Sequence, residues 1–600
     1  MPLRRAKQAC VHCHGRRIRC DVLQQRPCSN CVAQDVPCEL GVSRRGKYPR
    51  KKLKSQSMEQ PALTSPSNPS IPSPSQTTSN HPSPNEPTVF LGESSPLTSV
   101  MDPRQPPRLH YPLPARLAPS STRDDAVRLH HVQQAAQLES NGSLSFPPAL
   151  TTDAFLQAYF RWFHPCFPIV DRIAVCRAKA RHALPPLLLQ AMLFIGVSLC
   201  DDETFARTEF PVRYRAKFLF YSRARAIYEA DAEPSPIVKL QALFMLSFWR
   251  GGPSEERDVR FWLGIAISLA QKRGMHMMSK FAHPPTERRL WKRIWWALYT
   301  RDQQSAAALG LPPRIRDEDG AVAMLEPDDL AEEGSVNDDV LGRQTPQDLV
   351  YPVEMAKLAR LLRTIVSTQY LHHERPDLAT RNALSQQLCV WESQLPLELR
   401  LETVSRDSLF LTGLLHMTYQ NLYILLYRRV FLDPTPHDDG QIALDAATKS
   451  TRIMEDLLSH HLIQHAPTHL ITHAFSTLCI HTIHHRRSSG TTRTLAEHRA
   501  RLCLLSLEEL QKSWDLENWV LHLFFKGLDD RTAEVLGLNN GLRDGNVERD
   551  DGIHTTGGTP GAGASGEMIL PPDDWYGWVP WEDEADALNL QNLEFLYRFL

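Results

Sequence analysis

The sequence predicts two unlike folded units on one chain: a small zinc-organised module at the N-terminus and a large all-α domain, joined by a disordered linker. Three observations carry this prediction. One cysteine pattern is written twice in the first forty residues, Cys10-x2-Cys13-x6-Cys20 and then Cys28-x2-Cys31-x6-Cys38. Residues 55–100 hold 12 Ser and 9 Pro among 46. From about residue 151 onward, apolar positions recur at helical rather than strand spacing.

Six hundred residues exceed what one core organises, and 42% hydrophobic content permits a large folded domain. The net charge of −1 conceals an asymmetry: residues 1–54 carry 14 Lys and Arg against 3 Asp and Glu, or +11, which leaves −12 for the rest. A basic head on an acidic body points to a nucleic-acid partner for the head. The N-terminal residues run straight into the cysteines without an apolar stretch, so no signal peptide is expected. The most apolar segment, 187–200, includes Gln190 and is too short to span a bilayer, so no membrane partner is expected. In a reducing compartment, clustered thiols favour metal over disulfides.

Zinc takes four tetrahedral ligands. Six cysteines therefore fill one site with two to spare, or two sites if two sulfurs are shared. The repeat favours sharing, since each half offers three ligands and needs a fourth from its partner. Six thiolates around two Zn²⁺ sum to −2, so the metallated head stays near +9. A unit this small depends on its metal for folding free energy. A zinc ribbon or RING-like protein-contact scaffold would separate its CxxC pairs more widely, and a metallothionein-like store would not carry +11. His12 and His14 flank Cys13 but are superfluous as ligands once six thiols suffice; they are expected to be solvated or near phosphate.

Residues 8–40 resemble the fungal zinc binuclear cluster (two-zinc, six-cysteine) family of transcription factors. The resemblance implies a short helix followed by an extended strand in each half, with Cys10 and Cys28 bridging two zinc ions. It implies that residues 14–19, HGRRIR, meet the major groove of double-stranded DNA carrying CGG-like triplets. Arg17 stands where members carry a base-contacting lysine, with Arg16 and Arg19 beside it and Arg4, Arg5 and Lys7 in the preceding basic run. An arginine fork can bond guanine O6 and N7 together, worth about 1–3 kcal/mol of discrimination. Gly15 departs from the usual arginine or lysine and weakens the helix by roughly 1 kcal/mol relative to alanine. Pro27 matches the family's turn between halves.

Beyond the cluster domain (1–40), Arg44, Arg45, Lys47, Arg50, Lys51, Lys52 and Lys54 make a basic segment (41–54) suited to nuclear import or added phosphate contact. The Ser/Pro-rich linker (55–150) cannot bury enough apolar surface to offset its ordering entropy. Ser65, Ser73, Ser83 and Ser95 each precede proline and offer proline-directed phosphorylation sites. No sustained heptad runs through residues 39–122, and residues 123–138 form at most a short helix without a seam, which leaves monomer and homodimer both open.

In the body (151–545), Phe261, Trp262, Ile265, Ala266, Leu269 and Ala270 recur as pairs four apart, ending near Gly274. Leu290, Trp291, Ile294, Trp295, Leu298 and Tyr299 repeat the design, with Lys292 and Arg301 on other faces. Segments 159–172, 261–276, 288–302 and 310–319 resemble the fungal-specific regulatory domain found downstream of such clusters, which implies a regulatory helical domain; they identify no small-molecule effector. Together with the cysteine segment they are most similar to filamentous-fungal regulators related to cutinase and fatty-acid-utilisation activators. A regulator of a secondary-metabolite gene cluster would share these features.

There is no HExxH, GxSxG or GxxxxGK[ST] segment, and no enzymatic activity is expected. His461, His465, His469, His473, His481 and His485 lie on a spacing of four residues or its double, but that spacing drifts round a helix and Pro467 interrupts it, so helix-surface or partly buried histidines are expected. In the last segment (546–600), residues 571–600 place Trp575, Tyr576, Trp578, Trp581, Phe595, Tyr597 and Phe599 among seven acids, the composition of an activation segment for transcriptional coactivators. Residues 582–600 could instead dock on the body as a helix. The expected function is a nuclear, zinc-dependent transcription factor, an RNA polymerase II activator of a metabolic or secondary-metabolite gene set. The alternatives are a repressor of the same class, a zinc-scaffolded protein-interaction adaptor, or an enzyme in the helical body.

Overall fold

Each half of the cysteine repeat makes one short helix, α1 (Val11–Gly15) and α2 (Ser29–Ala33). The computed structural model describes residues 10–16, 20–22, 25–34, 36–39, 88–92, 110–112 and 125–514, the last with breaks at 251–254, 279–283, 333, 335–339, 372–377, 404–407 and 434–438. The chain divides into two compact units, residues 1–78 and 79–600.

The larger unit opens with two short strands, β1 (Thr88–Phe90) and β2 (His110–Pro112), paired antiparallel with Val89 opposite Tyr111. Among the described residues, every regular element after them is a helix. The first half holds α3 (Asp125–Ser140), α4 (Ala149–Ala158), α5 (Arg172–Ala180), α6 (Pro186–Leu199), α7 (Asp202–Ala206), α8 (Arg213–Glu229), α9 (Pro236–Leu246) and α10 (Val259–Lys272). The second half holds α11 (Pro285–Leu309), α12 (Pro327–Leu330), α13 (Pro346–Val366), α14 (Leu378–Ser393), α15 (Leu409–Leu432), α16 (Gly440–Ser459), α17 (His469–Arg487) and α18 (Gly490–Trp514). One continuous apolar core runs from Leu138 to Trp514. No described helix is long and apolar enough to cross a membrane.

The ordered body starts earlier than the sequence predicts. Residues 88–92, 110–112 and 125–150 fall within the stretch assigned to the linker, yet Phe90 meets the His276 ring edge-on at 5.2 Å, and Leu138 is buried. Gln190, buried on α6, donates from Nε2 to the Ser143 and Ser145 carbonyls at 3.0 and 2.9 Å. The anchor is thus a polar side chain distant in sequence, which local composition does not signal. Residues 55–87 and 515–600 lie outside the described residues, as do the four Ser-Pro sites and the acidic-aromatic end.

The segments that carried the resemblance owe their form to buried polar knots. After α4 the helix widens to a π-turn, Tyr159–Phe163, closed by His164 N–H donating to Tyr159 O at 2.9 Å; Tyr159, Phe160 and Phe163 are all buried. His164 Nε2–H donates to the Val170 carbonyl at 3.0 Å, while Nδ1 accepts from Arg172 at 3.4 Å, which fixes a neutral ring. Arg172 is itself buried, paired to Glu332 at 2.8 Å and bonded to the Leu341 carbonyl at 2.8 Å.

In α11, Asp302 is 0% exposed and accepts main-chain N–H bonds from Arg314 (2.7 Å) and Ile315 (2.8 Å), with Arg260 of α10 at 3.3 Å. This one carboxylate holds the 310–319 loop against two helices. Asp302→Ala leaves two amides without acceptors and leaves Arg260 with only the Pro312 carbonyl, and it is expected to cost about 3–5 kcal/mol, measurable in the urea midpoint.

The helix periods are mostly as predicted, since Trp291, Ile294, Trp295, Leu298 and Tyr299 are buried. Two side chains differ. Phe261 is 40% exposed, its place in the core taken by Leu263 and Ile267, while Arg301 is buried. From Thr300 to Ser305, α11 is buried all round, so polar residues there face protein rather than water. At Gly196 of α6 a Cβ would lie 2.1 Å from the Phe155 carbonyl oxygen of α4. Gly196→Ala must therefore separate the two helices, with an expected loss of roughly 1–3 kcal/mol read by thermal unfolding.

Candidate metal centre and nucleic-acid interface

In the N-terminal unit the helices α1 and α2 bring the six predicted cysteines together. Their sulfurs form two quartets, Cys10–Cys13–Cys20–Cys28 and Cys10–Cys28–Cys31–Cys38, each with all ligand atoms within 4.8 Å of one another. Cys10 and Cys28 belong to both. Cys10 Sγ lies 3.8 Å from Cys28 Sγ and 3.6 Å from Cys31 Sγ, and Cys13 Sγ lies 3.6 Å from Cys28 Sγ. Four thiolates 2.3 Å from a tetrahedral ion are about 3.8 Å apart, whereas a disulfide holds sulfurs at about 2.05 Å. All six thiols are free. The donor set fits two metal ions sharing an edge.

The main chain repeats itself around the sulfurs. Cys10 N–H donates to Cys20 Sγ at 3.4 Å, and Cys28 N–H donates to Cys38 Sγ at 3.3 Å. Cys13 N–H donates to Cys10 Sγ at 3.4 Å, and this is the main cause that lowers the Cys10 thiol to about 6. Cys28 is also lowered: burial works against ionisation, but the Cys31 N–H and the neighbouring thiols outweigh it. Burial pushes Cys13 up to about 12 and raises Cys31 as well. The two sulfurs common to both quartets are therefore the ones the backbone favours as thiolates.

Residues that the spacing did not single out complete the unit. Asp21 accepts from the Ser29 N–H at 3.0 Å and from the Ser29 hydroxyl, tying the first half to the start of α2; the hydroxyl bond is the main reason its carboxyl sits below the usual range. Val22 is buried among the cysteines, with Val36 packed alongside. Cys10 follows the basic run, and the Val11 N–H closes the unit by donating to the Glu39 carbonyl at 2.8 Å. The Arg26–Pro27 peptide is cis, at the turn where the sequence places Pro27. His12 Nδ1 lies 3.8 Å from Cys31 Sγ, nearer the sulfurs than the solvated position expected of it.

Arg16 is exposed at the end of α1, and its Nη1 donates to Gln34 Oε1 at 2.8 Å, at the end of α2. This predicted DNA contact thus also straps one half of the repeat to the other. Arg4, Arg5, Lys7, Arg17, Arg19 and the basic segment 44–54 lie outside the described residues.

The histidine run is distributed through the body instead of converging. His465, His469, His473, His481 and His485 are buried and His461 is exposed, which corrects the helix-surface expectation for five of the six. Among the described residues, the groupings that could hold a metal ion all lie in the cysteine unit.

Residues 8–47 match the fungal Zn(2)-Cys(6) binuclear cluster domain, and residues 156–393 match the fungal specific transcription factor domain. This chain carries both domains of the fungal zinc cluster transcription factors. The second match runs from α4 to the end of α14 and takes in the π-turn, the Arg172 knot and the Asp302 loop. The first domain binds two zinc ions through six cysteines, and the two quartets here would hold such a pair with Cys10 and Cys28 common to both.

Among curated relatives, cutinase transcription factor 1 alpha of Fusarium vanettenii is 28% identical over 605 residues, covering 88% of this chain and 65% of that protein. Cutinase transcription factor 1 beta of the same organism is 25% identical, covering 85% and 71%. The acetamidase regulatory protein of Aspergillus fumigatus is 28% identical, covering 64% of this chain and 49% of its own length. The chain thus spans between about half and 71% of the length of these relatives.

Proposed function

We propose that this protein is a nuclear, sequence-specific DNA-binding transcription factor whose zinc cluster reads CGG-like triplets, and that it activates a metabolic or secondary-metabolite gene set. The observation that carries the reading is the pair of cysteine quartets sharing Cys10 and Cys28, set among the arginines of a strongly basic head. Two linked metal centres lock two short helices into one rigid body, and a rigid body of this charge is suited to present a helix to a groove. Arg17 and Arg19 supply base and phosphate contacts, Arg16 contributes while braced by Gln34, and Arg4, Arg5 and Lys7 extend the phosphate contacts along the backbone. The segment from Arg44 to Lys54 serves nuclear import.

The division of labour follows the proposed boundaries: reading in 1–40, import in 41–54, a tether beginning at 55, regulation in the helical body to 545, and coactivator recruitment by the acidic-aromatic residues of 546–600. We assign the body no catalytic role. The names of the relatives, cutinase transcription factors and an acetamidase regulatory protein, support a regulator of metabolic genes.

The test is binding of the full-length protein to duplexes with a CGG triplet and to scrambled duplexes of equal composition, over a salt series. Preference for the triplet, with affinity that falls steeply as salt rises, is expected from phosphate contacts. Equal affinity for both duplexes would refute the reading.

A further inference from the structure

Arg301 is the anomaly of the helical domain. It is 3% exposed, yet no carboxylate among the described residues pairs with it. Its guanidinium lies over the Phe248 ring, 4.2 Å from Cζ to centroid, and Nη2 donates to the Ser247 carbonyl at 3.3 Å, while Nε has no partner. The surroundings make the charge harder to hold. Arg250 is a second cation in the neighbourhood; burial and Arg250 together lower Arg301 to about 9. His469 of α17 is 4% exposed with neither ring nitrogen bonded, and it lies close enough for Arg301 to help depress its pKa, behind burial and His473. His473 Nδ1 is also buried and unpartnered. Two other buried cations of this domain are provided for: Arg172 has Glu332, and Lys217 donates to the Ser513 carbonyl at 2.6 Å. Arg293 of α11 is also buried with Nε unbonded, but Asp171, Glu332 and Asp329 lie near enough to favour its charge.

A buried charge without a counter-charge costs several kcal/mol, and four unbonded donor or acceptor atoms at one place compound that cost. An anion between Arg301 and His469 would supply the missing counter-charge and two of the missing bonds: the planar guanidinium matches a carboxylate, and a neutral imidazole can donate one further N–H. We propose that Arg301, with His469 and the Phe248 ring, forms a buried carboxylate-binding site joining the end of α9 to α11 and α17. Because the site links the first half of the domain to the last, occupancy raises the stability of the whole body by mass action. A carboxylate can come from a small molecule or from the chain itself, since Asp515 and Glu517 follow Trp514 directly, and the Trp514 ring packs 5.8 Å from Phe248.

Thermal unfolding of the full chain in sodium acetate, against sodium chloride at equal ionic strength, tests the site. Acetate is the probe because Arg301 is closely surrounded and this is a minimal carboxylate. A rise in Tm with acetate alone, lost in Arg301→Met, is expected for a free ligand. In the ligand-free state Arg301→Met should unfold at or above the wild-type temperature, since it removes an unpaired charge. If the wild type is indifferent to acetate but an Asp515→Asn, Glu517→Gln variant gains a response that Arg301→Met abolishes, the chain's own carboxylates occupy the site. An acetate response in neither background, or one that survives Arg301→Met, overturns the proposal. Should Arg301→Met lose its cooperative transition, equilibrium dialysis of labelled acetate decides. Binding that Arg301→Lys weakens, in the wild type or the 515/517 variant, supports the site, and no binding in either refutes it.

Discussion

Replacing Cys10 with serine is expected to strip both zinc ions from the protein, where replacing Cys13 strips fewer. Cys10 is a member of both sulfur quartets, so its loss leaves each ion with three thiolates; Cys13 belongs to one quartet only. Cys28→Ser should match Cys10→Ser, and Cys38→Ser should match Cys13→Ser. The effect on folding is large because the unit has little else to hold it. Apart from the cysteines, its apolar core is Val22 with Val36 partly buried beside it. Structural zinc in comparable small domains contributes on the order of 10–16 kcal/mol, far more than such a core supplies. Elemental analysis should find almost no zinc on Cys10→Ser, with specific DNA binding gone. The far-UV helical signal should barely change, because it is dominated by the other unit, which holds sixteen α-helices among the described residues. A Cys10→Ser protein that keeps as much zinc as Cys13→Ser would show that no sulfur is shared.

The cysteine site was legible in the sequence because ligand spacing is a local property. Two repeats of one pattern dictate two similar half-sites, and the need for eight ligand positions from six sulfurs dictates sharing. Asp21 and Gln34 were not legible, since each acts across the repeat, on Ser29 and on Arg16, and no spacing rule relates them. In the body, α10 and α11 were readable from their apolar period, with α10 ending at a left-handed Gly274 (φ 75°) as its glycine predicts. The period fails where a helix is enclosed on every side. Arg301 reads by sequence as a charge off the apolar face, yet tertiary partners decide its position and that of its neighbour: Asp302 finds two amides, and Arg301 finds a ring and one carbonyl. The early start of the body was missed for a related reason, because Gln190 recruits a segment of linker-like composition through backbone carbonyls.

The histidines give the second large effect, a helical body that loses stability steeply below neutral pH. Burial holds His465 down to about 4, against the pull of the Leu199 carbonyl and Asp201. Burial alone takes His473 to about 3, and it takes His481 to about 3 although the Ala447 carbonyl opposes it. His469 and His164 are driven well below the usual value by burial, followed by His473 and Arg301 for the first and by Arg172 for the second. In the unfolded chain all five titrate near 6.5. Above that pH they are neutral in both states, and the full stability is present. Below it the unfolded chain binds protons that the folded body refuses, so stability falls as pH drops from about 6.5 toward the folded values. Each group contributes about 1.4 kcal/mol per pH unit, and five together about 7 kcal/mol per unit. Asp302, Asp348 and Glu332, whose carboxyls burial raises, act in the opposite sense and ease the decline at its acid end. A domain of ordinary stability, about 5–15 kcal/mol, is then expected to unfold one to two units below the histidine range. The urea midpoint of the helical signal, followed from about pH 7.5 to about pH 5, checks this, and a flat profile would exclude it. His473→Leu separates cause from coincidence: it leaves an apolar side chain of similar bulk where an unpartnered ring nitrogen was buried, so it should flatten the slope by one histidine's share while preserving the fold at neutral pH.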